Sequence, residues 1–257
     1  MERNQECKLV KEWIVEVGNY IRTHIHESFE VAEKENRQDI VTEMDKKVQN
    51  LLLEKIRTTF PEDKVLAEEN GLSEIEEMSG RLWIIDPIDG TLNFYFQREN
   101  FAIMVALFED GIGQLGFIYD VMNEQIYWGG KNIGVYRNDE RLMSPKNTAL
   151  SNGLLGINAF MYAENIEHTR DIADKSMGVR VYGSAAIEFI HLLHGRIIAY
   201  LSNLAPWDWA AGSVLAEELG LEFSALNGGE LSFDTRSYYI VGTKELMKEV
   251  RETYMKC

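Results

Sequence analysis

Two aspartates three positions apart, Asp86 and Asp89, stand in the string Trp83-Ile84-Ile85-Asp86-Pro87-Ile88-Asp89-Gly90-Thr91-Leu92-Asn93-Phe94. Carboxylate oxygens are the ligands that a hard cation such as Mg²⁺ selects. An apolar run leads into Asp86, so a strand is predicted to end there. Pro87 stiffens the turn, and Gly90 lets the backbone approach a ligand closely. A helical turn beginning at Gly90 would aim free N–H groups outward, where they can hold a phosphate. The competing reading is a plain strand-to-helix turn with Asp89 as the helix cap, and an isolated pair of aspartates would favour it.

Other acids stand in equally distinctive surroundings. They are Asp45 in Asp39-Ile40-Val41-Thr42-Glu43-Met44-Asp45, Glu68 in Ala67-Glu68-Glu69-Asn70, and Asp208 in Trp207-Asp208-Trp209-Ala210-Ala211-Gly212. Each also has an ordinary structural explanation. Thr42 and Asp45 fit a Ser/Thr-x-x-acid helix start. Glu68 and Glu69 fit a solvated acidic pair, which is the expectation for Glu69. Asp208 lies near a helix start, where the dipole favours a carboxylate.

The elements that must position these residues can be read from periodicity. Val10, Trp13, Ile14, Val17, Ile21 and Ile25 predict a first amphipathic helix. The charged segment 30–38 is expected to be a mobile loop. A second helix begins near Thr42, with Met44, Val48, Leu51, Leu52 and Ile56 inward, and ends at Pro61. Strands follow at 65–67 and 82–85, each running into acids. Residues 101–108 and 114–119 predict a hairpin through Asp110-Gly111, and 126–128 and 134–136 continue the strands. The polar stretch 144–152 marks a boundary between an N-terminal half, 1–146, and a C-terminal half, 147–257. In the second half strands at 154–158, 179–182, 196–201 and 239–242 alternate with helices at 164–175, 184–194 and 207–219 and a terminal helix. Such alternation predicts an α/β arrangement.

Taken together and in this order, the four acidic motifs and Gly183-Ser184-Ala185-Ala186 resemble the inositol monophosphatase family. The resemblance runs over nearly the whole chain. It implies a layered αβαβα fold with an antiparallel-rich first half, and metal ligands from both halves meeting at the junction. It implies two or three Mg²⁺ ions. Glu68, Asp86, the Ile88 carbonyl and Thr91 would surround the first, and Asp86, Asp89 and Asp208 the second. Thr91, hydrogen-bonded to Asp45, would help Glu68 orient an attacking water. The N–H groups of Gly90 and Thr91 would bind phosphate, and Gly183, Ser184, Ala185 and Ser202 would line the substrate pocket with Asp89 and Asp208. Paired cations suit in-line displacement at phosphorus and need no protein nucleophile.

The implied activity is Mg²⁺-dependent, Li⁺-sensitive hydrolysis of a small phosphate monoester, inositol monophosphate foremost. The same chemistry on fructose 1,6-bisphosphate, 3′-phosphoadenosine 5′-phosphate or NADP is the alternative. A dimeric scaffold that binds a protein partner is a reading of another class. Animal-type members carry a glutamate before the Trp-Asp motif that binds inositol hydroxyls. Here the stretch is Tyr200-Leu201-Ser202-Asn203-Leu204-Ala205-Pro206, with only Ser202 and Asn203 to offer hydrogen bonds. Broader substrate use is therefore expected. The loop Lys34-Glu35-Asn36-Arg37 keeps a lysine where many relatives have one. The resemblance also implies a homodimer.

Two motifs mislead. Gly111-Ile112-Gly113-Gln114-Leu115-Gly116 matches a dinucleotide-binding pattern, but the strand-like Phe117-Ile118-Tyr119 follows it instead of a helix. His191 and His194 lie one helical turn apart without a third ligand, and a structural role is expected. Composition narrows the classes further. Hydrophobic residues make up 45% of the 257 positions and the net charge is −16. That balance supports a sizeable core and repels nucleic acid and anionic membranes. Cys7 and Cys257 form no metal or disulfide pattern. The polar residues 1–12 do not read as a signal peptide. A cytoplasmic protein is expected.

Overall fold

The first apolar stripe forms α1 (Arg3–His24), with Val10, Trp13, Ile14, Val17 and Ile21 buried along it. The computed structural model describes residues 2–33, 40–69 and 78–255. Asp39, the loop residues Lys34, Glu35, Asn36 and Arg37, and Asn70 and Cys257 lie outside the described residues. The segment expected to be a mobile loop opens instead as a strand. β1 (Val31–Glu33) pairs antiparallel with β2 (Ile40–Thr42). All three β1 residues are exposed, so no alternation of apolar side chains announces it.

The helix α2 (Glu43–Thr59) starts at a complete capping box between Thr42 and Asp45. There follow β3 (Lys64–Ala67), β4 (Arg81–Asp89), the short helix α3 (Thr91–Phe96), β5 (Ala102–Glu109), β6 (Ile112–Asp120), β7 (Gln125–Gly130), β8 (Gly134–Arg137) and β9 (Glu140–Arg141). The strands β3 to β9 form one seven-stranded sheet in sequence order, antiparallel except for the β3–β4 pair. The glycine-rich motif at 111–116 lies in the β5–β6 hairpin, as its sequence context requires.

The rest of the chain runs β10 (Leu154–Ile157), α4 (Ala159–Glu164), α5 (Thr169–Ala173), β11 (Gly178–Arg180), α6 (Ala185–Leu193), β12 (Ala199–Leu204), α7 (Pro206–Glu218), β13 (Glu222–Ala225), β14 (Ser237–Gly242) and α8 (Lys244–Thr253). The second sheet has the order β11-β10-β12-β14-β13. Two expectations are corrected here, and one strand is added. The helix predicted over 164–175 is broken, because Asn165, Glu167 and His168 adopt positive φ and interrupt the helical path. The strand predicted from Arg196 begins at Ala199 and continues to Leu204. β13, unmarked in the sequence, completes the sheet edge beside β14.

Burial sorts these elements into layers. Helices α1 and α2 cover one face of the large sheet through Ile14, Val48, Trp83, Ile85 and Val105. Helices α6 and α7 fill the space between the two sheets, and one core joins Ile84, Met104 and Phe189 to Trp209 and Tyr239. Helix α7 is apolar on nearly every side because it is wrapped on every side. The outer face of the second sheet is covered by α4, α5 and α8 through Met161, Ile172 and Leu246. The result is the αβαβα order.

Candidate active site

An irregularity in β4 creates the site. Side chains alternate across a strand, so residues 86 and 89 of a regular strand would face opposite sides. Here Asp86 pairs with Met104 and Asp89 with Ala102, so three steps on β4 match two on β5. The extra residue of this bulge returns Asp89 to the face that Asp86 occupies. That face is the one packed toward α6 and α7, shared by Leu82, Ile84, Ala102 and Met104. Ile85 and Ile88 point to the other side, into the core under α1 and α2. The Asp86 carboxylate also accepts the Ile88 N–H at 3.1 Å, which holds the turn around Pro87.

Glu68 arrives from the neighbouring strand. β3 runs parallel to β4 with Ala67 beside Ile85, and the Glu68 N–H donates to the Ile85 carbonyl at 3.3 Å. Glu68 thus emerges next to Asp86 at the ends of two parallel strands. The following residue corrects an expectation. Glu69 is only 5% exposed and is not a solvated partner. Its backbone is clamped by the buried Gln49 of α2, whose side chain donates to the Glu69 carbonyl at 2.6 Å and accepts its N–H at 2.9 Å. Gln49 was not singled out in the sequence. A polar residue on the apolar stripe of α2 was the available signal.

Asp45 serves two masters with its two oxygens. Oδ2 accepts from the N–H and hydroxyl of Thr42, closing the helix cap. Oδ1 accepts the Thr91 hydroxyl at 3.1 Å, and the Ile88 carbonyl lies at the same distance from that hydroxyl. The cap and the link to the site therefore coexist. Burial pushes the Asp45 carboxyl up to about 7 against the hydrogen bonds from Thr42.

Asp89 does cap a helix, but not the one that follows it. The cap of α3 is Gly90, in the left-handed region at φ 89°. A side chain there would be strained and would also press on Ser184. Asp89 reaches across to α6 instead. It accepts the N–H groups of Ala185 at 3.1 Å and Ala186 at 2.8 Å, and the Ser184 hydroxyl. The turn before α6 is tied back by Asn93, whose amide donates to the Tyr182 carbonyl at 2.8 Å and the Asn100 carbonyl at 2.9 Å. Glu188 holds the same turn by accepting the Tyr182 N–H at 3.1 Å. Its other oxygen is buried without a hydrogen-bond partner, packed against Gly156. Burial, and Asp89 beyond it, push the Glu188 carboxyl up to about 8. Neither Asn93 nor Glu188 was picked out as functional; a lone acid in the apolar run Ala185 to Ile190 was the visible clue.

Asp208 closes the group from the other side. It sits at the third position of α7 and accepts the Ala205 N–H at 2.8 Å. One oxygen each from Asp86, Asp89 and Asp208 lies within 4.8 Å of the others, and all three residues are buried. They open onto a cleft of about 520 Å³ that also takes in Glu68, Ile88, Thr91, Gly183, Ser184, Ala185, Ser202 and Asn203. Asp45 stands behind Thr91. Arg236, also unforeseen, donates to Asp208 at 3.2 Å and to the Asn203 carbonyl at 3.1 Å.

The donor set tests whether a metal fits. Burial and mutual repulsion raise the Asp89 and Asp208 carboxyls, and Arg236 only partly offsets this for Asp208. Five acids, Glu68, Asp86, Asp89, Glu188 and Asp208, share the cleft with a single guanidinium among the described residues. Oxygen-only ligands with excess negative charge suit a hard divalent cation. The two histidines do not contribute. His194 meets the Tyr127 hydroxyl at 3.1 Å and His191 stacks on Tyr182. Burial lowers both rings' affinity for protons, in keeping with a structural role.

Comparison with known proteins identifies the family. The model of the inositol monophosphatase family matches residues 4–256. Inositol-1-monophosphatase of Bacillus subtilis is 37% identical over 253 residues, 96% of this chain and 96% of that protein. Fructose-1,6-bisphosphatase/inositol-1-monophosphatase of Thermotoga maritima is 32% identical over 226 residues, 86% of this chain and 85% of that one. A crystal structure of an IMPase/NADP phosphatase complexed with Mg²⁺ and phosphate superposes with a TM-score of 0.88 at 30% identity, covering 97% of this chain and 94% of the other. The chain belongs to the inositol monophosphatase family and is a phosphatase.

Proposed function

We propose that this member of the inositol monophosphatase family hydrolyses small phosphate monoesters, inositol monophosphate foremost, with Mg²⁺ held by Asp86, Asp89, Asp208 and Glu68 and by the Ile88 carbonyl. The convergence of three buried carboxylates on one point carries this reading. When bound, Mg²⁺ supplies Lewis acidity toward phosphoryl oxygens and lowers the pKa of water. The protein does the positioning. Thr91 has one hydroxyl proton; by donating it to Asp45, the side chain turns its lone pairs toward the cleft. Glu68 and Thr91 then orient a water in line with the ester bond. Attack by the water oxygen breaks the bond from phosphorus to the leaving oxygen, giving an alcohol and inorganic phosphate. The Gly90 and Thr91 N–H groups, at the start of α3, receive phosphoryl oxygens.

Specificity follows from the wall of the cleft that carries Ser202 and Asn203. Ser202 stands there with Tyr200 on the same face of β12. Neutral donors discriminate among alcohols less than a buried carboxylate does. We propose a broad range of leaving alcohols and a homodimer in solution. Assay of purified protein on inositol 1-phosphate tests the reading: activity appears with Mg²⁺, vanishes with chelator and declines with Li⁺. Full turnover in excess chelator overturns it.

A further inference from the structure

Asp89 is aimed by a single turn of chain. The donors that hold its carboxylate among the described residues are the Ser184 hydroxyl and the Ala185 and Ala186 N–H groups, all at the start of α6. An ionised carboxylate has about four acceptor sites on its two oxygens, so the sites that α6 occupies decide which are left for a cation. A shift of this turn would therefore re-aim a metal ligand whose own strand stays in place. The chain enters the turn through Gly183, in the left-handed region at φ 76°. Glycine permits that conformation without stiffening it, so the turn needs support from outside.

The support converges on Tyr182. Its carbonyl accepts the Asn93 amide of α3 at 2.8 Å, and its N–H donates to Glu188 at 3.1 Å. Glu188 lies one turn into α6, where its own N–H donates to the Ser184 carbonyl at 3.1 Å. Its side chain thus ties the chain before the helix to the helix itself and closes a loop over 182–188 around Gly183.

The surroundings are otherwise unfavourable to an acid. Glu188 is 2% exposed, stands between Ile187 and Phe189, and has one carboxyl oxygen, Oε2, with no hydrogen-bond partner among the described residues. Burying an unpaired polar oxygen is destabilising. The second sheet is notched to admit it: a Cβ added at Gly156 of β10 would stand 2.1 Å from Oε2. Gly156 pairs in register with Tyr200, and its φ lies outside the left-handed region. Space for the carboxyl, and not backbone conformation, is therefore what calls for glycine there. A methionine on α6 would fill this place without an unpaired oxygen. What it would not supply is the link to Tyr182.

We propose that Glu188 is a positioning residue of the metal site: by holding Tyr182 it fixes the first turn of α6 and, through Ser184, Ala185 and Ala186, the direction in which Asp89 presents its oxygens to Mg²⁺. The proposal rests on the metal-binding role given to Asp89 above.

Three variants test it. Glu188→Met keeps the volume and removes the acceptor, Glu188→Gln keeps an acceptor, and Gly156→Ala leaves the acid in the chain but displaces its carboxyl. Mg²⁺ affinity is measured by calorimetry without substrate, and the melting temperature without Mg²⁺ is recorded alongside. On the scale of losing a group that orients a metal ligand, Kd for Mg²⁺ rises about tenfold in Glu188→Met and Gly156→Ala and stays within about twofold of wild type in Glu188→Gln. The Mg²⁺ concentration that gives half-maximal hydrolysis of inositol 1-phosphate rises in parallel. An unchanged Kd in Glu188→Met, or in Gly156→Ala should the first variant not fold, overturns the proposal and assigns Glu188 to stability alone; the metal role of Asp89 then stands. Glu188→Gln as weak as Glu188→Met also overturns it, because the link to Tyr182 is then not what acts. Wild type that binds no Mg²⁺ overturns the metal role of Asp89 and the proposal together.

Discussion

The floor and the mouth of the cleft are built on opposite principles. At the floor, Asp86, Asp89 and Asp208 are buried, and each accepts backbone N–H groups from its surroundings. At the mouth, Phe160 at the start of α4 is 67% exposed and Val181, just after β11, is 55% exposed. The floor is tied by hydrogen bonds, and the mouth presents exposed apolar side chains. Chemistry at phosphorus tolerates little displacement of its ligands, whereas recognition of an alcohol can vary with a few rim side chains. The fold thus separates what must not change from what can.

Substitutions at the floor are the hardest test of that contrast. Asp89→Asn is expected to lower kcat by about 10²–10³, the scale of losing several kcal/mol of charge stabilisation. It also places an amide N–H₂ against N–H donors of α6, so the melting temperature falls as well. Near-normal turnover would reduce Asp89 to a helix cap. Thr91→Ala keeps the backbone in place and removes only the hydroxyl. A decline of about 10² in kcat is expected, with KM little changed. A raised KM at constant kcat would contradict the water-orienting role.

Glu188 lies between the two regions and gives a readout in stability. Its folded value of about 8 stands above the ordinary 4.5. Between these values the folded chain keeps a proton that the unfolded chain has lost. The contribution of Glu188 is therefore fully present below pH 4.5 and lost as pH rises through about 8. Its slope is at most about 1.4 kcal/mol per pH unit. Glu188→Gln keeps an acceptor for the Tyr182 N–H and cannot ionise. Urea unfolding at several values across this window should show the stability of the variant gaining on wild type as pH rises. Parallel profiles would place the Glu188 proton elsewhere. At the mouth the effect is smallest: Phe160→Ala should leave kcat unchanged and alter KM no more than about twofold, as for an exposed side chain. A large loss of kcat there would erase the distinction between floor and mouth.

Much of this was legible in the sequence because acids in apolar surroundings are costly unless they are used. The run into Asp86, the tryptophans around Asp208 and the spacing of Thr42 and Asp45 each carry that signature, and the layered fold came with the family resemblance. What escaped notice depends on long-range partners. Asp89 reads as a local cap, yet its helix lies about a hundred residues away in the chain, at Ser184 to Ala186. Gln49 clamps Glu69 across a loop, and Glu69 looks solvated until that clamp is seen. Arg236 sits among Ser232, Asp234 and Thr235 in a polar turn with nothing local to mark it. β1 and β13 have little apolar alternation of their own and are defined by the strands they join.

The bulge in β4 makes the existence of the site a question of parity. Met104 and Ala102 fix which face is inward, and the unpaired extra residue between Asp86 and Asp89 lets acids three positions apart share it. Removing one residue of that segment would restore regular pairing with β5 and leave both acids inward, two positions apart, but would abolish the turn in which Asp86 accepts the Ile88 N–H. Such a protein would match the composition of an active enzyme and hold its two acids at a spacing the site is not built on. Within this strand, insertions and deletions of a single residue therefore act on the spacing of the acids and not on their identity, and a chain that keeps its acids but alters that spacing is expected to hold the metal more weakly.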